Sequence, residues 1–238
     1  MRTHTVQLRW LSSEPDPAHV ARWYVMLDPE ERARADRFRF TPDRHSFIAA
    51  HALLRSMLSD ATGRATRTWR FVTSAYGKPA LAPSLCNSDL QFNISHTRGW
   101  VACAIARVAV GVDVEVVDRD AATEVRGVFS PHEVGLLDGQ VGEQMATTFT
   151  RLWTLKEAFI KATGEGLRRP LDSFSFELDP LRITFHADRY PVADSRWCFL
   201  ETSSIPGRRL ALAVQHLAPE IEARLATPEE IGERRLAA

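Results

Sequence analysis

The chain has 238 residues, thirty basic against thirty acidic side chains, and 45% hydrophobic residues, enough for one large core or two small ones. A net charge of zero argues against wholesale binding to nucleic acid or a membrane surface. The three cysteines, Cys86, Cys103 and Cys198, are scattered and show neither a disulfide framework nor zinc spacing. With no basic segment leading into an apolar run near the start, and no run long enough to span a bilayer, a cytoplasmic, monomeric protein is expected.

In chain order, Val6 to Leu11 alternates weakly and predicts a first strand. Asp28-Pro29-Glu30-Glu31 predicts a helix start, with a capping Asp, Pro at the first position and acids in the first turn; this helix is expected to run through Arg32, Arg34, Arg37 and Arg39. Taken alone, those arginines read as a charged face. Thr41-Pro42 predicts a second helix to about Asp60, with Phe47, Ala50, Leu54 and Leu58 inward. Thr68 to Thr73 reads as a strand and Tyr76-Gly77-Lys78-Pro79 as a turn. Gln91 to His96 and Gly99 to Arg107 read as strands joined by a tight turn, with Ser95 and His96 at its edge.

Gly111-Val112-Asp113-Val114-Glu115-Val116 has the period of a half-buried strand. Asp113 and Glu115 then share one face, roughly 7 Å apart at their bases. Two carboxylates so placed are either a sheet's wet face or ligands for one hard cation, and oxygen-only ligation suits Mg²⁺, with Mn²⁺ as an alternative. Ser130-Pro131-His132-Glu133 opens another helix and includes a capping box. After a glycine-containing loop, the stretch from Trp153 to Thr163 has no proline or glycine until Gly164, which ends it. Leu152, Leu155, Phe159 and Ala162 form its apolar stripe, with Trp153, Glu157 and Lys161 aligned on the opposite face. Four further strands, Phe174 to Leu178, Ile183 to Phe185, Trp197 to Leu200 and Leu210 to Val214, are too closely spaced for crossover helices and imply an antiparallel ladder. Thr227-Pro228 predicts a short C-terminal helix.

Gly111-Val112-Asp113-Val114-Glu115, followed some forty residues later by Trp153-Thr154-Leu155-Lys156-Glu157-Ala158-Phe159-Ile160-Lys161-Ala162-Thr163-Gly164-Glu165-Gly166, resembles the signature pair of the 4′-phosphopantetheinyl transferases. Matches at Tyr76-Gly77-Lys78-Pro79, Phe92-Asn93-Ile94-Ser95-His96 and Phe129-Ser130-Pro131-His132-Glu133, together with the chain length, resemble the long, Sfp-type branch. The resemblance implies an α+β fold: a pseudo-two-fold pair of similar halves, each a small antiparallel sheet packed with helices, with the active site in the cleft between them. The expected division is an N-terminal half over 1–109, a C-terminal half over 110–218 and a tail over 219–238.

The resemblance also implies the chemistry. Members move 4′-phosphopantetheine from coenzyme A to a serine hydroxyl of an apo acyl or peptidyl carrier protein, releasing 3′,5′-ADP. Carried over by position, Asp113, Glu115 and Glu157 are the expected metal ligands. Arg34, Arg37, Lys78, Ser95, His96 and Lys161 are the expected coenzyme A contacts, and Glu157 and Lys161 the expected catalytic pair. Glu157 could be base, ligand or both, and Glu133 either a cap or an acid near the metal. Two departures stand out: some relatives have a lysine where this chain has Glu31, which leaves Arg32 unassigned, and relatives often place a small hydroxyl residue where it has Phe47. Two rival readings predict different products on an apo carrier domain. An inactive coenzyme A or carrier-binding module would add no mass. A metal-independent coenzyme A acyltransferase using His96 would add only an acyl group.

Overall fold

The computed structural model describes residues 5–74, 77–118, 126–186 and 196–232; Tyr76 lies outside these. The chain forms two compact units, one of residues Met1–Ala109 with Pro219–Ala238 and one of Val110–Ala218.

The first unit is built on β1 (Thr5–Ser12), β4 (Gln91–Thr97), β5 (Trp100–Ala106) and β11 (Glu220–Leu225), in the order β11-β1-β5-β4. β1 and β4 run antiparallel to β5, as expected, but β11 runs parallel to β1, with Leu8 opposite Ala223. The segment read as a tail therefore supplies an edge strand, and the sheet is mixed rather than wholly antiparallel. The sequence hides this because β11 buries little and lacks the apolar alternation of an inner strand. Thr227 to Glu230 is a turn instead of a helix.

Three helices accompany this sheet. α1 (Pro17–Tyr24), not anticipated, is capped by Asp16, whose carboxylate accepts from the Ala18 amide at 2.7 Å, and it buries Val20 and Trp23. α2 (Pro29–Ala35) carries the expected capping box between Asp28 and Glu31 but ends four residues before Arg39, where the Arg37 and Phe38 amides bond to Arg34 and Ala35 in tighter turns. α3 (Thr41–Thr62) ends on Gly63, and its Phe47, Ala50, Leu54 and Leu58 are buried as predicted. Its Ile48, Leu53 and Met57 meet Phe92, Val101 and Ile105 in one core. The predicted strand from Thr68 starts only at Phe71. The chain before it turns to bury Trp69, whose indole N–H donates to Ser59 Oγ at 2.9 Å. A two-stranded ribbon, β2 (Phe71–Thr73) with β3 (Pro79–Leu81), then brackets the turn at Lys78.

The second unit has a sheet ordered β6-β10-β9, made of β6 (Val110–Val116), β9 (Cys198–Thr202) and β10 (Arg208–Val214), all antiparallel. A hairpin of β7 (Phe174–Leu178) and β8 (Leu181–Phe185) stands apart from it. α4 (Pro131–Leu137) and α5 (Gly142–Thr163) complete the unit. α5 begins ten residues earlier than its apolar stripe suggested and stops at Gly164, whose φ of 72° is the left-handed cap that glycine tolerates. Leu152, Leu155, Phe159 and Ala162 bury against Phe174, Phe176, Ala211 and Ala213. Among the described residues no helix is long and apolar enough to cross a membrane.

α5 lies directly on β6, and one residue permits this. A Cβ at Gly111 would stand 2.0 Å from the Ala158 carbonyl oxygen and 2.4 Å from the Ala162 amide nitrogen. These are backbone atoms of a long helix, which cannot turn aside as a side-chain tip can. Gly111→Ala is expected to cost at least about 3 kcal/mol, the upper end of ordinary overpacking. Urea unfolding checks this, and a loss under about 1 kcal/mol would mean that the approach is not tight.

Candidate active site

Gly111, Asp113 and Glu115 share one face of β6, so the glycine that admits α5 sets the helix beside the two carboxylates. The face is therefore not a wet one. Asp113 is 1% exposed and sits opposite Ala211 of β10, while Glu115 is half-buried opposite Arg209. From α5, Lys161 Nζ donates to Asp113 Oδ1 at 2.5 Å. Glu157 is half-buried one helical turn earlier. Its carboxyl is pushed above the usual range, first by burial and then by the Asp113 charge, with Lys161 pulling the other way. The edge of α5 opposite its apolar stripe thus meets a buried acid across the β6 face.

Asp113, Glu157 and Lys161 are brought together, and Glu115 lies two residues along the same strand face. Among the described residues no three carboxylate, imidazole or thiol groups already converge as a metal cluster. The fit to a divalent cation rests on the donor set. Asp113 is packed closely enough to Glu157 to raise the proton affinity of Glu157, and a third carboxylate, Glu115, follows on the Asp113 strand, all with oxygen donors.

Glu133 goes elsewhere. Both it and Lys156 are fully buried, and Lys156 Nζ lies 2.8 Å from Glu133 Oε2. The same oxygen accepts from the Ser130 amide and hydroxyl, and Oε1 accepts from the Phe176 amide at 3.0 Å. With both oxygens so engaged, Glu133 is the cap of α4 and the counter-ion of Lys156. Lys156 also donates to the carbonyls of Leu171 and Phe174 at 2.6 and 2.8 Å and lies 4.3 Å from the centre of the Phe174 ring. Burial lowers its proton affinity, and Glu133 opposes that shift. Sequence reading missed Lys156 because a lysine beside a motif glutamate reads as solvated.

In the first unit, a cavity of about 430 Å³ gathers Arg34 of α2 and Arg37 just after it, Phe47 and His51 of α3, and Ile94 and His96 of β4. Three expected coenzyme A contacts, Arg34, Arg37 and His96, therefore share one wall system. Ser95 does not join them: it alternates to the other face of β4 and is 5% exposed. Lys78 is not among the lining residues either, although its neighbour Pro79 is. Its amide donates to Ser74 Oγ at 3.0 Å, and burial lowers its ammonium pKa to about 8. Glu31 is buried and holds Arg55 at 2.6 Å and His51 at 2.7 Å. Arg55, itself fully buried, also binds Asp28 at 3.0 Å. Phe47, His51 and Arg55, each four residues apart, were the available signal: two polar groups on one face of a core helix need acidic partners.

One unit thus carries a glycine-gated helix that sets a lysine and a carboxylate over a strand of acids, and the other carries a cavity lined by cationic side chains, in an α+β protein of two units. Family profiles agree across both units. The profile described as the 4′-phosphopantetheinyl transferase superfamily matches residues 109–215, and that of the 4′-phosphopantetheinyl transferase N-terminal region matches residues 10–107. The chain is 33% identical over 200 residues to 4′-phosphopantetheinyl transferase Sfp of Bacillus subtilis, covering 82% of this chain and 85% of that protein. It is 30% identical over 231 residues to a phosphopantetheinyl transferase of Thraustochytrium, covering 91% and 80%. It is also 35% identical over 157 residues to 4′-phosphopantetheinyl transferase HetI of Nostoc, covering 65% and 66%. The chain belongs to the 4′-phosphopantetheinyl transferase superfamily.

The buried ion pair makes a stability prediction. Glu133→Gln keeps the shape but leaves the Lys156 ammonium without its counter-charge, and should cost about 3–5 kcal/mol. Adding Lys156→Met should restore most of that loss in urea unfolding. Near-wild-type stability of Glu133→Gln alone would show that the pair is not holding α5.

Proposed function

We propose that the chain transfers 4′-phosphopantetheine from coenzyme A to a serine hydroxyl of an apo carrier protein. The serine oxygen bonds to the β-phosphorus, the bond from that phosphorus to the 3′,5′-ADP oxygen breaks, and the serine proton passes to a base. The observation that carries this reading is the packing of Glu157 and Lys161 over Asp113 at the Gly111 contact.

Asp113, Glu115 and Glu157 would hold Mg²⁺, or Mn²⁺ in its place; when bound, the ion neutralises the pyrophosphate and polarises its oxygens. The residues do the remaining work. Glu157, with a raised proton affinity, is suited to accept the serine proton directly or through water. Lys161, paired with Asp113 and one helical turn after Glu157, would supply an ammonium for charge building on the phosphate oxygens. Arg34, Arg37 and His96, with Lys78 nearby, hold the nucleotide end of coenzyme A. A monomer acting on acyl or peptidyl carriers of fatty-acid, polyketide or nonribosomal-peptide synthesis, in the cytoplasm, fits this assignment.

Two experiments test it. Excess chelator should abolish transfer and Mg²⁺ or Mn²⁺ should restore it; full turnover in chelator would remove the metal site. Glu157→Gln should lose at least about a hundredfold in rate, on the scale of one key electrostatic group. If Glu157 is a ligand, raised Mg²⁺ should partly rescue the variant; if it acts only as a base, Mg²⁺ affinity should be unchanged. Lys161→Met should lose rate without losing metal affinity. Were both variants to keep wild-type rates, Glu157 and Lys161 would be a surface ion pair and no more.

A further inference from the structure

A cation beside the acids of the second unit has no part in the transfer step. A pocket of about 300 Å³ is lined by Thr147 and Arg151 of α5, Glu201 and Thr202 of β9, Ser203 just after that strand, and Arg209 of β10. Arg209 is the direct antiparallel partner of Glu115, and Ala211 is that of both Asp113 and Glu201. These five side chains therefore leave one face of the sheet, the face that α5 covers at Gly111. Neighbouring strands lie about 5 Å apart, so the pocket opens one strand away from Glu115.

The charges of this pocket do not cancel. Arg151 is committed to the fold: its Nε and Nη2 donate to Glu201 at 3.2 and 2.9 Å, Nη2 also reaches the Leu178 carbonyl at 3.3 Å, and Nη1 lies 3.6 Å from Asp179. Glu201, with both oxygens on Arg151, is neutralised in turn. Arg209 is half-buried, and no described residue forms an ion pair with it. Its guanidinium is therefore the net charge of the pocket, and the hydroxyls of Thr147 and Ser203 add hydrogen-bond donors. None of the six lining side chains is hydrophobic, so an acyl tail would be a poor occupant and a carboxylate, which a guanidinium can hold by two parallel bonds, a good one.

We propose that this pocket takes an acidic side chain of the carrier protein, within about four residues of the acceptor serine, with Arg209 as its charge partner. The inference rests on the transferase reading, because it is the serine that brings the carrier chain to Asp113, Glu115 and Glu157. A chain advances about 3.3 Å per residue when extended and about 5.4 Å per turn when helical. Either way, a serine at those acids sets a near neighbour one or two strands along the sheet, over Arg209. Arg209 is then a specificity-determining residue. It makes carriers with an acid at that place better substrates and leaves the chemistry at phosphorus to Glu157 and Lys161.

The test takes a panel of apo acyl and peptidyl carrier domains, selects the one that the full chain binds most tightly by fluorescence anisotropy, and follows both its binding and its modification. Arg209→Gln should raise the Kd and KM for that carrier about tenfold, the worth of one charge-assisted hydrogen bond, while the KM for coenzyme A and the Mg²⁺ dependence stay the same. The decisive arm exchanges charges. Each carrier acid within four residues of the serine is replaced in turn by lysine. One such carrier should bind the unaltered protein worse and Arg209→Glu better than the original carrier does, which a merely structural role for Arg209 would not predict. Ser203→Asp puts a carboxylate into the pocket from an exposed position beyond the end of β9, and it should weaken carrier binding to a similar extent. This provides an answer even if the Arg209 variants fail to fold. Unchanged carrier affinity in Arg209→Gln or in Ser203→Asp, no exchange of charge preference, or no binding of any carrier domain would overturn the assignment. A protein that binds the carrier through Arg209 yet never modifies it would overturn the transferase reading alone. Transfer with an unaltered carrier KM in Arg209→Gln would do the reverse.

Discussion

Each unit depends on the same interaction: a capping-box glutamate that reaches a buried cation on a long helix. In the first unit, Glu31 opens the seven-residue α2 and binds Arg55; in the second, Glu133 opens the seven-residue α4 and binds Lys156. Counted from Thr41 and from Gly142, Arg55 and Lys156 are each the fifteenth of twenty-two helical residues, and each helix ends on a left-handed glycine. Burying such pairs gains little net stability, because desolvation takes back most of the attraction. Breaking one is expensive, however, so each pair pins its long helix to a single rotation. The residues that matter follow from that: Glu157 adjoins Lys156, Lys161 is five residues on, and His51 is one turn before Arg55.

The two glutamates are used differently, and the chemistry of each unit follows. Glu133 spends both oxygens inside the fold, on Lys156, Ser130 and the Phe176 amide. Glu31 keeps an oxygen for His51 and so carries its charge to a cavity wall. In the second unit Asp113 and Glu115 come from β6, and the Gly111 contact brings α5 close enough for Lys161 to meet Asp113. The closeness that lets Lys161 pair with Asp113 also loads Glu157 with the neighbouring negative charge, a ground state that a cation or a proton relieves.

Local chemistry was legible in the sequence where it is punctuated. The caps at Asp28 and Ser130, the stop at Gly164, the place of β6 and the stripe of α5 all appear where the residues put them, although β6 is buried on both faces rather than half-buried. The strand–helix pair that carries the family signature could be read for the same reason. What could not be read depends on partners distant in sequence. β11 is polar and takes its place only by pairing with β1, more than two hundred residues earlier. Trp69 bends a predicted strand because Ser59 accepts its indole. Lys156 and Arg55 look like surface cations until their glutamates are in place, and the repeated device uses Arg in one unit and Lys in the other, so no internal repeat shows in the sequence.

The central claim is that this arrangement moves a phosphopantetheine group rather than an acyl group. The most direct measurement offers the protein both at once: acetyl-coenzyme A, Mg²⁺ and an apo carrier domain, followed by intact-mass analysis of the carrier with and without its acceptor serine. The account predicts that the intact carrier gains the whole acetyl-phosphopantetheine mass and that the serine-less carrier gains nothing. A gain of acetyl alone, or no gain across acyl and peptidyl carriers alike, would contradict it.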